Sequence, residues 1–295
     1  MAGNFSDRDG LIWYNGKIVP WRDAKVHVLT HGLHYASSVF EGERAYNGTI
    51  FLCQEHSERF IRSAQLIDME MPMNAEELNE AKYAILKANN LTDAYIRPVA
   101  FRGSEQLGIS AQQTKTHIAI ACWEWPSYFG NEAREKGISL QVAKWRAPMP
   151  DTATTASKAA CLYATHTMSK HTAEAAGFTD ALMLDYRGLV AECTGANIFM
   201  IKDGKIKTPD PDCFLNGLTR QTVIKLAEEH GFSVDVCQIT LEELLSADEI
   251  FVTGTAAEIT AIGKINDSTF TVGPVTRKLR DAYESLVRAP KAKAA

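Results

Sequence analysis

The chain has 295 residues, a formal net charge of −5, 45% hydrophobic and 23% charged residues, the balance of an ordinary soluble globular protein built as one large or two ordinary domains. That balance leaves no basic footprint for nucleic acid, no apolar run is long enough to cross a bilayer, and Met1 to Gly10 carries no apolar signal region. Six scattered cysteines (Cys53, Cys122, Cys161, Cys193, Cys213, Cys237) form no C-x-x-C pair and read as thiols of a reducing, cytoplasmic compartment.

Asn15-Gly16 between Leu11–Tyr14 and Lys17–Pro20 predicts a β-hairpin, and Asn47-Gly48 between Val39–Tyr46 and Thr49–Leu52 predicts a second. A helix is expected over Glu55–Met69. Asn74 with Glu77 three residues on signals another, ending near Lys87. Ala94–Arg102 and Thr116–Trp123 read as strands. These elements make an N-terminal α+β domain over residues 1–125, with 126–136 as a polar linker and 137–295 as a larger C-terminal domain. The second domain opens on a strand, Ile138–Trp145. A helical run from Thr154 to Ala176 follows, stopped by Gly177 as a C′ residue. Then come strands at Ala181–Leu184, Leu189–Glu192, Asn197–Ile201 and Lys205-Ile206, joined as an antiparallel meander by Gly-containing turns. A helix Thr219–His230, a strand Val234–Val236, a helix capped by Thr240 and Glu243, a strand Glu249–Thr253 and a last helix Val275–Val287 complete the chain.

Lys158 stands out. Read as the first turn of the Thr154–Ala176 helix, it occupies a place unfavourable to a cation, which suits an amine that must attack carbonyls; a solvated lysine is the plain alternative. Glu192, at the end of a strand, is either solvated or a fixed anion for a protonated ring nitrogen. Gly217-Leu218-Thr219 at a helix start, the Gly254-Thr255-Ala256-Ala257 turn and Arg59 are candidate phosphate ligands, or else two connections and a surface arginine. His27, His31 and His34, with Glu41 beyond, admit a metal site, but the strand-like Val26, Val28 and Leu29 spoil a shared helix face, so no metal is expected. The aromatics Tyr35, Phe40, Tyr95, Trp125 and Tyr128 are core residues or pocket walls.

Together, His31-Gly32-Leu33-His34-Tyr35, Val39-Phe40-Glu41-Gly42, Ala94 to Pro98, Lys158 with Tyr163, Glu192 to Phe199, Gly217 to Arg220 and Gly254 to Ile259 resemble the class IV, fold-type IV, pyridoxal-phosphate aminotransferases. The likeness is to the branched-chain amino acid enzymes among them and runs from Ile12 to about Arg288. It implies a two-domain α+β fold like that of D-amino acid aminotransferase, mixed sheets with packed helices, and pyridoxal 5′-phosphate as cofactor. The implied reaction moves an amino group between Leu, Ile or Val and 2-oxoglutarate by a ping-pong route in a homodimer of branched-chain amino acid metabolism.

By that resemblance Lys158 holds the cofactor covalently and shuttles the proton, Tyr163 meets its phenolic oxygen, and Glu192 pairs its ring nitrogen. Arg59, Leu218, Thr219 and Thr255 hold its phosphate, and Leu215 flanks the ring. Tyr35, Phe40, Trp125 and Tyr128 wall the substrate pocket, with Leu107 and Ile109 supplied by a second subunit. Tyr95 and Thr255-Ala256-Ala257 receive the α-carboxylate, and Arg97 the distal carboxylate of glutamate. Glu43 and Trp123-Glu124 depart from the branched-chain pattern and add charge near the pocket region. A class IV enzyme for D-amino acids or (R)-amines, or aminodeoxychorismate lyase, is the near alternative; a histidine metalloprotein is the distant one.

Overall fold

The computed structural model describes residues 4–125 and 131–289. Contacts divide them into two units: residues 4–125 with Ser157–Cys161, and 131–156 with 162–289.

The first unit contains β1 (Leu11–Tyr14), β2 (Lys17–Pro20), α1 (His31–Tyr35), β3 (Ser38–Phe40), β4 (Glu43–Tyr46), β5 (Thr49–Ile50), α2 (Cys53–Gln65), α3 (Ala75–Ala88), β6 (Ala94–Arg102) and β7 (Thr116–Trp123). Both Asn-Gly pairs take positive φ, 47° and 85° at Asn15-Gly16 and 50° and 77° at Asn47-Gly48. That geometry matches the twist of the strands it joins. The strands form one antiparallel sheet in the order β2-β1-β7-β6-β4-β5, and β3 pairs with β6. The expected Val39–Tyr46 strand is thus two strands, broken at Glu41-Gly42. Asn74 and Glu77 close a reciprocal capping box: Glu77 N–H donates to Asn74 Oδ1 at 2.9 Å, and Asn74 N–H to Glu77 Oε2 at 2.8 Å. Phe60, Ala64, Leu78 and Ile85 of α2 and α3 cover Val39, Ile96, Ile118 and Ile120 of the sheet. This layer positions β3 and α2, the two elements that hold Lys158.

The second unit contains α4 (Asn131–Lys136), β8 (Ile138–Ala147), α5 (Tyr163–Ala175), β9 (Asp180–Asp185), β10 (Val190–Cys193), β11 (Asn197–Lys202), β12 (Lys205–Pro209), α6 (Leu218–Glu229), β13 (Val234–Cys237), α7 (Leu241–Leu245), β14 (Glu249–Gly254), β15 (Glu258–Ile265), β16 (Ser268–Thr269) and α8 (Pro274–Arg288). Its mixed sheet runs β10-β9-β8-β15-β14-β11-β12-β13. A further β10–β11 pairing, Glu192 opposite Asn197, closes six of these strands into a ring. Alternate residues such as Leu140, Leu182, Leu184, Ile198, Met200, Ile250 and Val252 gather in one core, while Ala181 and Met183 turn to Ala173 of α5. Both strand faces are covered, so the strands read as continuous apolar runs.

Residues 131–136, expected within a linker, form α4 instead. The helix expected from Thr154 begins only at Tyr163, after a single 3₁₀ turn, Ala160–Leu162. Only half of the expected Thr240 box forms. Thr240 Oγ1 accepts from Glu243 N–H at 3.1 Å, but the Glu243 carboxylate goes to Lys207 at 2.7 Å.

Candidate active site

Lys158 lies in an extended stretch before the 3₁₀ turn, so the helix-terminus argument for its reactivity does not hold. Its backbone is held instead. Lys158 N–H donates to Ser63 Oγ at 3.0 Å, the neighbouring Ser157 Oγ donates to Ser63 O at 2.8 Å, and Phe40 N–H donates to Lys158 O at 3.2 Å. Ala159 bridges Val39 in the same antiparallel sense. The amine thereby lies 5.0 Å from the centre of the Phe40 ring.

Arg59 is a buried residue of α2, not a surface one. Its Nε and Nη2 each donate to a Glu41 oxygen at 2.7 Å, the parallel fork that fixes a guanidinium in one plane. His56 Nδ1 lies 2.7 Å from Glu41 Oε2. Burial disfavours the Glu41 anion, but the charges of Arg59 and His56 and their hydrogen bonds win, holding its carboxyl far below the usual range.

Glu43 is also fully buried, and its side chain meets α3: Lys82 Nζ lies 2.7 Å from Oε1, and donates to Ser57 Oγ at 2.7 Å. The contact is an ion pair by distance rather than an aligned hydrogen bond. Burial pushes the Glu43 carboxyl up against the pull of Lys82. Its charge is therefore matched inside the first unit, contrary to the expectation of extra pocket charge.

Arg97 Nη2 donates to Tyr95 Oη at 2.8 Å, and the guanidinium lies over Phe40 and Tyr95, 4.8 and 5.2 Å from their centroids. Trp123 and Trp125 flank Tyr95 at 5.1 and 5.0 Å, while Glu124 is exposed. Tyr35 ends α1 and packs on His31 at 4.6 Å. Leu107 and Ile109 sit exposed on the loop between β6 and β7. Tyr128 lies outside the described residues. His31 and His34 each meet a backbone carbonyl, Gly108 O and Val28 O, at 2.9 Å.

In the second unit Glu192 sits at the closure of the strand ring. Asn197 Nδ2, directly opposite, donates to Glu192 Oε2 at 3.2 Å and to Leu215 O at 3.1 Å, while Gly217 N–H donates to Asn197 Oδ1 at 3.1 Å. A Cβ on Gly217 would come within 2.3 Å of that Oδ1, so only glycine allows the contact. One amide side chain thus orients a carboxylate, the Leu215 segment and the start of α6. Leu218 and Thr219 open α6, where unsatisfied N–H groups and the helix dipole favour an anion. Thr255, Ala256 and Ala257 form the turn between β14 and β15. Tyr163 begins α5 and packs on His166 at 5.2 Å. His166 donates from Nδ1 to Leu162 O at 2.8 Å and places Nε2 3.3 Å from Glu192 Oε1.

Sequence reasoning missed the working partners Glu41, His56, Ser63 and His166. Only His56 is near its partner in sequence, three positions before Arg59 on α2; Glu41 is 18 positions from Arg59, Ser63 is 95 from Lys158 and His166 is 26 from Glu192. The first unit carries an anchored amine and a planar guanidinium, the second an oriented carboxylate and a helix N-terminus. By its own chemistry each suits one part of a phosphorylated aromatic aldehyde with a protonated ring nitrogen: the amine the carbonyl, the carboxylate the ring nitrogen, the guanidinium and the helix start the phosphate.

The chain belongs to the amino-transferase class IV family, whose profile matches residues 38–265. It is 45% identical over 291 residues to the branched-chain-amino-acid aminotransferase of Pseudomonas aeruginosa, covering 96% of this chain and 95% of that one. Among solved structures it resembles the branched-chain amino acid aminotransferase of Escherichia coli, with a TM-score of 0.93 and 36% identity over 97% of this chain and 98% of that one. The branched-chain amino acid aminotransferase of Thermobaculum terrenum, solved in its PLP form, superposes with a TM-score of 0.87 at 31% identity, over 95% of this chain and 94% of that one.

Proposed function

We propose that the chain is a branched-chain-amino-acid aminotransferase that uses pyridoxal 5′-phosphate to exchange the amino group between Leu, Ile or Val and 2-oxoglutarate. The observation that carries the reading is the Lys158 anchor: a backbone fixed from both α2 and β3 beside Phe40. When bound, the cofactor supplies an electron sink for the substrate's Cα. Lys158 Nζ would hold it at its carbonyl carbon and would carry the substrate's Cα proton. Glu192 holds the proton on the ring nitrogen, and Asn197 keeps the carboxylate aimed. The Tyr163 hydroxyl meets the phenolic oxygen, and Leu215 flanks the ring. Arg59, the N–H groups of Leu218 and Thr219, and Thr255 hold the phosphate.

Tyr35, Phe40, Trp125 and Tyr128 exclude water around an aliphatic side chain, joined by Leu107 and Ile109 of a second copy. Tyr95 and the Thr255-Ala256-Ala257 turn receive the α-carboxylate, and Arg97 pairs the distal carboxylate of glutamate. The catalytic unit in this reading is a homodimer, and the cytoplasm is its compartment. A steady-state panel of L-branched-chain amino acids, D-amino acids and (R)-amines with 2-oxoglutarate tests the assignment. Turnover of the L-branched-chain set is expected; activity confined to D-amino acids or amines refutes the specificity.

A further inference from the structure

The loop Gly103–Lys115 between β6 and β7 exposes two large apolar side chains, Leu107 at 52% and Ile109 at 85%. Its two legs are clamped by short contacts. Gly103 N–H donates to Lys115 O at 2.9 Å, Lys115 N–H to Glu105 Oε2 at 3.1 Å, and Gln113 N–H to Gln106 Oε1 at 3.0 Å. Arg102 Nη1 and Thr114 Oγ1 both donate to Ala111 O, at 3.1 and 2.6 Å. The tip is tied differently. His31, buried on α1 and 77 positions away in sequence, lies with Nε2 2.9 Å from Gly108 O. A carbonyl oxygen only accepts, so Nε2 carries the proton. Nδ1 lies 2.5 Å from Ser37 Oγ, a second tie on the same ring. His31 N–H also donates to Gly103 O at 2.9 Å, so one residue grips the loop at its base and its tip. The ring is further braced by Tyr35, 4.6 Å away.

We propose that His31 is a positioning residue that acts in trans: it sets the tip of this loop so that Leu107 and Ile109 complete the apolar wall of the second copy's substrate site, not of its own. The inference rests on the functional reading above, in which those two residues serve the partner copy. An isoleucine this exposed on a loop pinned at both ends is a poor design for an isolated chain and a good one for a preformed contact.

Two measurements test this. Hydrogen exchange on the holoenzyme should show the amides of residues 106–111 exchanging roughly tenfold faster or more in His31→Ala, with the sheet unchanged. His31→Gln, whose amide can still donate to Gly108 O, should restore part of the protection. Unchanged loop protection in His31→Ala overturns the anchor. Separately tagged mixed dimers then locate the effect. Pairing Lys158→Ala with a copy carrying His31→Ala leaves the working lysine served by an intact loop, and KM for leucine should stay near wild type. Placing His31→Ala on the Lys158→Ala copy, with a wild-type partner, should raise KM for leucine several-fold with cofactor content unchanged. An effect that follows the copy bearing the working lysine, or equal values in both mixtures, overturns the trans role. A wild-type dimer without transaminase activity would instead count against the functional reading, while the exchange result still decides the anchor.

Discussion

At Lys158 the peptide N–H goes to Ser63 and the carbonyl to Phe40, so the fold holds the backbone of the lysine from two sides. Ser63→Ala strands that peptide N–H in a part-buried place, a loss of about 1–3 kcal/mol. Urea denaturation should read that loss, together with slower turnover at unchanged cofactor content. At Arg59 the partner matters as much as the arginine. Glu41→Gln removes the anion that neutralises a buried guanidinium and should cost about 3–5 kcal/mol at pH 7.

The pH dependence follows in sign. The Glu41 carboxyl is depressed in the folded state, so its stabilisation is present above the unfolded value near about 4.3 and is lost as pH falls below it. Denaturation midpoints of wild type should drop through that acid range, and Glu41→Gln should flatten the drop. An equally steep fall in the variant would contradict the pairing. Arg97 is coupled to Tyr95 through the 2.8 Å hydrogen bond. Arg97→Leu should therefore damage the glutamate half-reaction at least a hundredfold, from about 3–5 kcal/mol of lost charge pairing. The leucine half should suffer only a smaller loss, through Tyr95. Single-turnover rates with each donor separate the two, and equal losses would mean an α-carboxylate role.

Among the elements, β4 and α3 are joined through Glu43 and Lys82, both fully buried. Lys82→Met leaves the Glu43 charge alone and should cost about 3–5 kcal/mol, whereas Glu43→Leu with Lys82→Met should be nearly neutral or stabilising. Chemical denaturation of the single and double variants measures the difference. A double variant as weak as the single one would show that the pair contributes more than its desolvation takes away.

This pair also marks where the sequence is hard to read. Its departure from the family pattern is visible, but the side to which Glu43 points depends on a break in the strand at Glu41-Gly42. The two Asn-Gly turns and the Asn74 box were legible because each signal is local and its partners lie within a few residues, and β6 and β7 because their composition alone reads as strand. β15 was not read as a strand. Gly263 interrupts its apolar run, and the reason for that glycine is distant: a Cβ there would meet Lys136 O of α4 at 2.1 Å. The Lys158 segment misled for the opposite reason. Its composition favours a helix, while long-range hydrogen bonds to Ser63 and Phe40 hold it extended.

Across the whole molecule the motif residues could be found in the sequence, but which groups aim which could not. Glu41, Ser63, Asn197 and His166 acquire their roles through contacts that only the folded chain makes. The thiols offer a check on the fold as a whole. Cys161 is exposed, whereas Cys122, Cys193 and Cys213 are buried. Burial pushes the Cys122 thiol up to about 11 and the Cys213 thiol up to about 12, and raises that of Cys193 as well. A short alkylation pulse near neutral pH should mark Cys161 well before those three, as read by peptide mass spectrometry. Early modification of Cys213 in the folded protein would contradict the packing around it.

The most direct test of the central claim is borohydride reduction of the holoenzyme followed by peptide mapping. A pyridoxyl group should be found fixed on Lys158, and a Lys158→Ala variant should fold with wild-type stability but neither retain the label nor transfer amino groups. A label on any other lysine, or transaminase activity surviving in Lys158→Ala, would contradict it.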